Sequence, residues 1–161
     1  MRPALESTIP CAAYNTLPDS LRRDGFFTGE RNAIMNIKRN AGVARHIGTY
    51  SDAVEIVDAK RMLYVSGTPG IDHDSGSLPQ SFSEQAELAW SNIIRILGEA
   101  DMKVEDIVKL TQHLVRREDM QVYREIRSRY LGNCAPASML TLLPGLVWPN
   151  MLIELEVVAA R

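Results

Sequence analysis

The closing stretch MLIELEVVAA, Met151 to Ala160, constrains this chain more than any other. Strand side chains alternate between two faces, so Met151, Ile153, Leu155 and Val157 share one side. That side is wholly apolar and needs a covering layer of helices. Leu152, Glu154, Glu156 and Val158 take the other side. It is too apolar for a purely solvated surface and too charged for a sealed core. A sheet face of mixed character without helices of its own suits another subunit. The expectation is an oligomer in which these faces meet and the glutamates line a cleft between subunits.

The elements upstream fit one sheet with helices to cover it. AVEIVD (Ala53–Asp58) and RMLYVSG (Arg61–Gly67) read as two short strands joined as a hairpin, although Ala-Lys is poor chemistry for a two-residue turn. GTPGIDHDSGSLPQ is rich in turn residues. Ser81 and Glu84 have the spacing of a capping box, and Ala86, Trp90, Ile93, Ile94 and Leu97 follow on one helical face, with Gly98 near the stop. DIVKLTQHLV (Asp106–Val115) alternates and is a strand. EDMQVYREIRSRYLG is a second helix, acidic at its start and basic toward its end, and Gly132 suits its C-terminal cap. SMLTLL and the closing stretch are the last strands. The order β-β-α-β-α-β-β predicts an α+β fold: one mixed sheet with both helices on one face.

Residues 1–45 lack sustained periodicity and read as an N-terminal arm or extension, with residues 46–161 as the domain. Within that arm, RNAIMNIKRN (Arg31–Asn40) fits either a short helix or a strand.

Composition narrows the function classes. With 18 basic and 20 acidic residues, the chain has no basic excess of the kind that nucleic-acid binding leaves, so no nucleic-acid partner is expected. No apolar run approaches the roughly 18 residues of a membrane span, and Pro3, Glu6 and Pro10 interrupt any leader-like segment. No membrane partner and a cytoplasmic location are the expectations. Cys11 and Cys134 form neither a disulfide framework nor a metal-ligand spacing, and the three histidines are scattered. No metal and no cofactor are expected.

Three segments together resemble the Rid family of reactive intermediate deaminases, also called YjgF-like proteins: IGTYSDAV (Ile47–Val54), VSGTPGID (Val65–Asp72) and APAS…IELEVVA (Ala135–Ala159). The resemblance implies a chorismate-mutase-like fold, a homotrimer, and three clefts at the subunit interfaces. There, enamines and imines such as 2-aminoacrylate and its imine tautomer are hydrolysed to ketoacids and ammonia. It also implies roles for particular residues. The G-P-Y-S segment stands here as Gly48, Thr49, Tyr50 and Ser51, with the proline lost; V-S-G is kept as Val65, Ser66 and Gly67. The water-positioning glutamate falls on Glu154. Tyr50, Ser66 and Gly67 fall at the cleft.

Three positions depart from the pattern. Ser138 stands where active deaminases carry an arginine that forks onto the substrate carboxylate. Leu140 replaces a common cysteine, and Arg124 takes the position of a frequent asparagine on the second helix. A hydroxyl offers one neutral donor in place of a charged fork, a loss of roughly 1.5–3 kcal/mol of anchoring. Either Arg124 supplies the cation, or the ligand is not a small amino-acid derivative. Each candidate has a plainer reading: Glu154 in an intersubunit ion pair, Arg124 paired in solvent, Tyr50 in ordinary packing. His113 reads as a structural residue.

The expected function is hydrolysis of a small enamine or imine, a reaction at a C=N bond, with an atypical substrate. The alternative is a non-catalytic trimer that binds a small molecule or acts as a chaperone. Ribonuclease chemistry has no support in the sequence, which offers no evident basic groove and no paired catalytic histidines.

Overall fold

The structure is a computed structural model and describes residues 35–161. The expected arm therefore lies mostly outside the described residues. Eight principal elements follow in order: β1 (Met35–Arg39), β2 (Ala53–Val57), β3 (Met62–Pro69), α1 (Phe82–Glu99), β4 (Ile107–Leu114), α2 (Met120–Leu131), β5 (Ala137–Leu142) and β6 (Ile153–Ala160). Four strands form the main sheet in the order β3-β6-β4-β5. β6 is antiparallel to both neighbours and β4 runs parallel to β5, so the sheet is mixed.

The closing strand behaves as its parity requires. Ile153, Leu155, Val157 and Ala159 are fully buried, whereas Glu154 and Val158 are half-buried and Glu156 is exposed. The apolar side meets both helices in one core with Trp90, Ile93 and Leu97 from α1 and Tyr123 and Ile126 from α2. Full burial stabilises by roughly 1.5–3 kcal/mol for each such aliphatic side chain. Aromatic contacts join the helices: Trp90 stacks on Tyr130 with centroids 5.4 Å apart, and Phe82 meets Tyr123 edge-on at 6.4 Å.

The helix ends follow from sequence. Ser81 caps α1 by accepting the Glu84 N–H at 3.3 Å, and its hydroxyl donates to the Glu84 carboxylate at 2.6 Å. Gly132 ends α2 with φ of 51°, the left-handed region that glycine tolerates best. Gly70 is required by close approach, because a Cβ there would stand 1.9 Å from the Gln85 carbonyl oxygen.

The expected hairpin of Ala53–Asp58 with Arg61–Gly67 does not form. β2 pairs instead with β1, antiparallel, as a separate two-stranded ribbon. Arg31–Asn40, open between helix and strand on sequence grounds, thus contributes a strand at Met35–Arg39. Asp58 takes a positive φ of 55°, which turns the chain out of the strand. Arg61 meanwhile exchanges two backbone hydrogen bonds with Arg161, at 2.8 and 3.0 Å, which carries the β3 pairing onto the end of β6. The ribbon is tied to the sheet at two points. Asn36 donates to the Ala160 carbonyl at 3.1 Å, and Ser51 bridges to Ala137 while its hydroxyl donates to the Ala135 carbonyl at 2.7 Å.

Candidate functional site

A β-bulge shapes the surroundings of Glu154. Val65 pairs with Val157, yet the next partners are Thr68 and Leu155, so Ser66 and Gly67 together stand opposite one residue of β6. An extra residue of this kind bends a strand and re-aims its side chains. Here it keeps both Val65 and Thr68 buried and brings Gly67 against the Glu154 side chain. A Cβ added to Gly67 would lie 2.7 Å from Glu154 Oε1 and 2.8 Å from its Cδ. Glycine at 67 is therefore what leaves the carboxylate its position.

Glu154 lies on the sheet face that carries no helix. Across the β4–β6 ladder it is paired with His113, whose Nδ1 hydrogen-bonds to Thr141 Oγ1 at 2.6 Å. Apolar side chains are exposed in the same strands: Tyr64 is 72% and Met139 45% accessible in the single chain. By register Tyr64 lies beside Val158, and Met139 lies opposite Thr111, on the Glu154 side of the sheet. The carboxylate thus sits on a face rich in unburied apolar area.

Ser138 and Leu140 occupy the opposite parity of β5. They pair with Leu110 and Gln112, whose side chains belong to the helix-covered side. Gln112 donates through Nε2 to Ser138 Oγ at 2.8 Å and to the Met139 carbonyl at 2.9 Å, and its Oε1 accepts the Tyr123 hydroxyl at 2.8 Å. Burial pushes the Tyr123 phenol well above its ordinary pKa, which keeps the hydroxyl a donor. Leu140 packs on the core. Serine at 138 is thereby one end of a buried polar chain and not an empty position.

Tyr50 lines a cavity of about 330 Å³ beside the start of β5, together with Gly48, Thr49 and residues around the end of α2. Neither Ser66, Gly67 nor Glu154 lines that cavity. Arg124 is exposed on α2, and the arginine that reaches the cavity is Arg127, one turn further along. Within one chain, then, Ser66, Gly67 and Glu154 are brought together, while Tyr50, Arg124 and the Ser138–Leu140 pair lie elsewhere.

Two buried glutamines carry structural weight that no periodicity announces. Gln85 accepts the Leu152 N–H at 2.8 Å and donates to the carbonyls of Pro79 and Asn150 at 2.8 and 2.9 Å. It fixes the entry into β6 just before Glu154. Gln112 does the same for Ser138. Both were hidden because most of their partners lie 26 or more residues away in sequence, and the nearer two, Pro79 and Tyr123, lie outside the glutamine's own element.

Among the described residues no group of three or more His, Cys, Asp or Glu side chains is placed to hold a metal, and no helix is long and apolar enough to cross a membrane.

Residues 42–161 match the model of the family described as endoribonuclease L-PSP. A RutC family protein of Aquifex aeolicus is 32% identical over 117 residues, covering 71% of this chain and 90% of that protein. The 2-iminobutanoate/2-iminopropanoate deaminase of Rattus norvegicus is 35% identical over 116 residues, covering 71% and 82%. Among solved structures, a protein of unknown function of the conserved Rid family from Yersinia pestis superposes with a TM-score of 0.68 at 23% identity, covering 79% of this chain and 98% of that one. That likeness bears on the fold.

Proposed function

The chain belongs to the endoribonuclease L-PSP family, which takes in the RutC and Rid proteins, and on that premise we propose that it hydrolyses a small imine or enamine. Relatives by sequence from Mus musculus, Rattus norvegicus and Bos taurus are named 2-iminobutanoate/2-iminopropanoate deaminase. The observation that carries the reading here is the Glu154 carboxylate, held against the Gly67 bulge on a sheet face with unburied apolar neighbours.

In the proposed reaction Glu154 takes a proton from water as the oxygen bonds to the imine carbon. The C=N bond becomes a single bond, giving a carbinolamine. Glu154 returns that proton to the nitrogen, then takes the carbinolamine hydroxyl proton and passes it to the same nitrogen as the C–O bond becomes C=O and the C–N bond breaks, so that a carbonyl compound and ammonia leave. An enamine enters the same path after protonation at carbon gives the imine. Acid–base assistance of this type contributes about 10²–10⁴-fold.

The assembly belongs to the same proposal: a homotrimer of chorismate-mutase-like subunits, with the Glu154 faces meeting at clefts. The proposed substrate is atypical, because the Ser138 hydroxyl, which accepts from Gln112 Nε2, offers no charged fork for a carboxylate. That engagement also favours a second reading, a trimer that binds a small molecule without turning it over.

The test generates 2-aminoacrylate in situ and follows ammonia and pyruvate. We expect turnover well below that of a relative with the arginine, abolished by Glu154→Gln. Turnover equal to such a relative removes the role given to Ser138. Turnover unchanged in Glu154→Gln makes Glu154 structural.

A further inference from the structure

The row of residues that crosses the main sheet at Glu154 holds a second group able to carry a proton. β4 sets His113 directly opposite Glu154, and β5 sets Thr141 directly opposite His113. Residues paired across neighbouring strands point to the same face, and in an antiparallel pair their Cβ atoms stand about 4.5–5.5 Å apart. Thr141, His113 and Glu154 therefore lie side by side on the face without helices, and all three are half-buried.

The His113 ring is held at one end. Its Nδ1 lies 2.6 Å from Thr141 Oγ1. With Nδ1–H donating to that hydroxyl, Nε2 gains or loses its own proton without disturbing the contact, and imidazole is the side chain suited to such exchange near neutral pH. The Glu154 carboxylate lies over toward β3 at Gly67, on the side away from β4. Among the described residues neither Nε2 nor that carboxylate takes a hydrogen bond or an ion pair. The two groups thus flank a space and do not close it against each other. Other charged groups on this face are Lys109, on β4 itself, and Glu156, which β6 sets opposite Thr111; β5 presents Met139 and Thr141.

We propose that His113 is a second catalytic residue of this site, with Nε2 exchanging protons with the imine nitrogen and the carbinolamine hydroxyl. The assignment rests on the imine hydrolysis proposed above and divides between two groups the transfers given there to Glu154. As Glu154 takes a proton from water and the oxygen bonds to carbon, protonated His113 gives its Nε2 proton to the nitrogen, leaving a neutral carbinolamine. Glu154 then passes its proton to the same nitrogen. Neutral His113 takes the hydroxyl proton as C–O becomes C=O and the C–N bond breaks. Ammonia and the carbonyl compound leave, and both residues are back in their starting states.

The experiment measures kcat and KM between about pH 5 and about pH 10, above the spontaneous rate, with 2-aminoacrylate and 2-iminobutanoate each generated in situ. The unaltered chain is expected to give a bell-shaped kcat profile that falls on the alkaline side as the acid is lost. His113→Gln keeps an amide to bond Thr141. It is expected to sediment as the parent does, to lower kcat about 10²-fold, to move KM less than about threefold, and to lose the alkaline fall. A kcat within about threefold of the parent in His113→Gln, with turnover abolished in Glu154→Gln, overturns the role of His113 and leaves the hydrolysis standing. Persistence of the alkaline fall in His113→Gln assigns the acid to another group, such as Lys109, and also overturns it. No turnover of either substrate by the unaltered chain removes the hydrolysis and the part of His113 with it. A kcat of the unaltered chain that does not fall on the alkaline side overturns the proposal even where the variant fails to fold.

Discussion

The Glu154 carboxylate fills the space that a side chain at Gly67 would need, its Oε1 standing 2.7 Å from where a Cβ would be. Gly67→Ala therefore displaces the carboxylate without touching the core behind it. A shift of about 1 Å in a reacting group lowers turnover by up to about 10²-fold. We expect Gly67→Ala to lose about ten- to a hundredfold in kcat for the imine reaction while Tm stays near that of the parent. Unchanged kcat would detach Gly67 from the site.

Ser138 and Gln112 form a coupled pair. Ser138→Ala removes one acceptor from a buried amide and should cost about 1 kcal/mol in urea denaturation. In a Gln112→Leu background the same change should cost almost nothing, because the donor is gone. The double-mutant cycle reads this directly. Additive costs would mean that the contact contributes no stability. The pairing also bears on Ser138→Arg: the new side chain must break into the Gln112–Tyr123 chain, so we expect lowered stability before any gain in carboxylate binding.

Gln85→Leu strands the Leu152 N–H and the carbonyls of Pro79 and Asn150. The expected loss is roughly 3 kcal/mol or more, since each buried polar group without a partner costs about 1–3 kcal/mol. Equilibrium unfolding measures it, and a loss below about 1 kcal/mol would show that the loops rearrange to satisfy themselves.

Asp52 responds to acid. Its carboxylate accepts the N–H groups of Ala44 at 2.6 Å, Gly42 at 2.8 Å and Val43 at 3.3 Å. The Ala44 bond is the chief cause of its pKa lying below the ordinary 3.8, with burial opposing. A depressed folded-state pKa contributes stability above the unfolded value that is lost as pH falls through the folded one. The amide shift of Ala44 should therefore titrate with a midpoint below 3.8, and Asp52→Asn should abolish that titration. A midpoint above 3.8 would reverse the sign of the contribution.

Met139 and Tyr64 test the assembly. Both are exposed on the face that carries Glu154. Met139→Glu or Tyr64→Glu should convert a trimer to monomers in sedimentation velocity, with loss of the imine reaction. A parent chain that sediments as a monomer would remove the trimer from the proposal.

The legible and illegible parts of this chain differ in range. Parity within β6, the Ser81–Glu84 cap and the Gly132 stop are local, and each was readable from neighbouring residues. The pairing of β2 with β1 was not, because the short link Asp58–Arg61 suggested a hairpin while the true partner lay across a longer loop. The polar chain from Tyr123 through Gln112 to Ser138 joins three elements and leaves no periodic mark. Nothing in the sequence sets Arg127 apart from the other basic residues toward the end of the second helix. Its place at the cavity depends on where the Gly48–Tyr50 segment comes to rest, which only the folded chain decides.

The bulge at Ser66 and Gly67 has a bearing on how this strand tolerates change in length. Val65 and Thr68 both point inward although they are three residues apart, an odd interval that an unbroken strand cannot satisfy. Deleting either bulge residue would restore an even count. Val65 would then stand two places before Thr68, still facing the helices and still opposite Val157, so Met62–Val65 would keep both its pairing and its facing. The ladder thus carries a single supernumerary residue that it can lose without a change of register. A one-residue deletion at Ser66 or Gly67 removes the bend beside Glu154, whereas the same deletion within Met62–Val65 shifts every residue before it by one place and turns it to the other face.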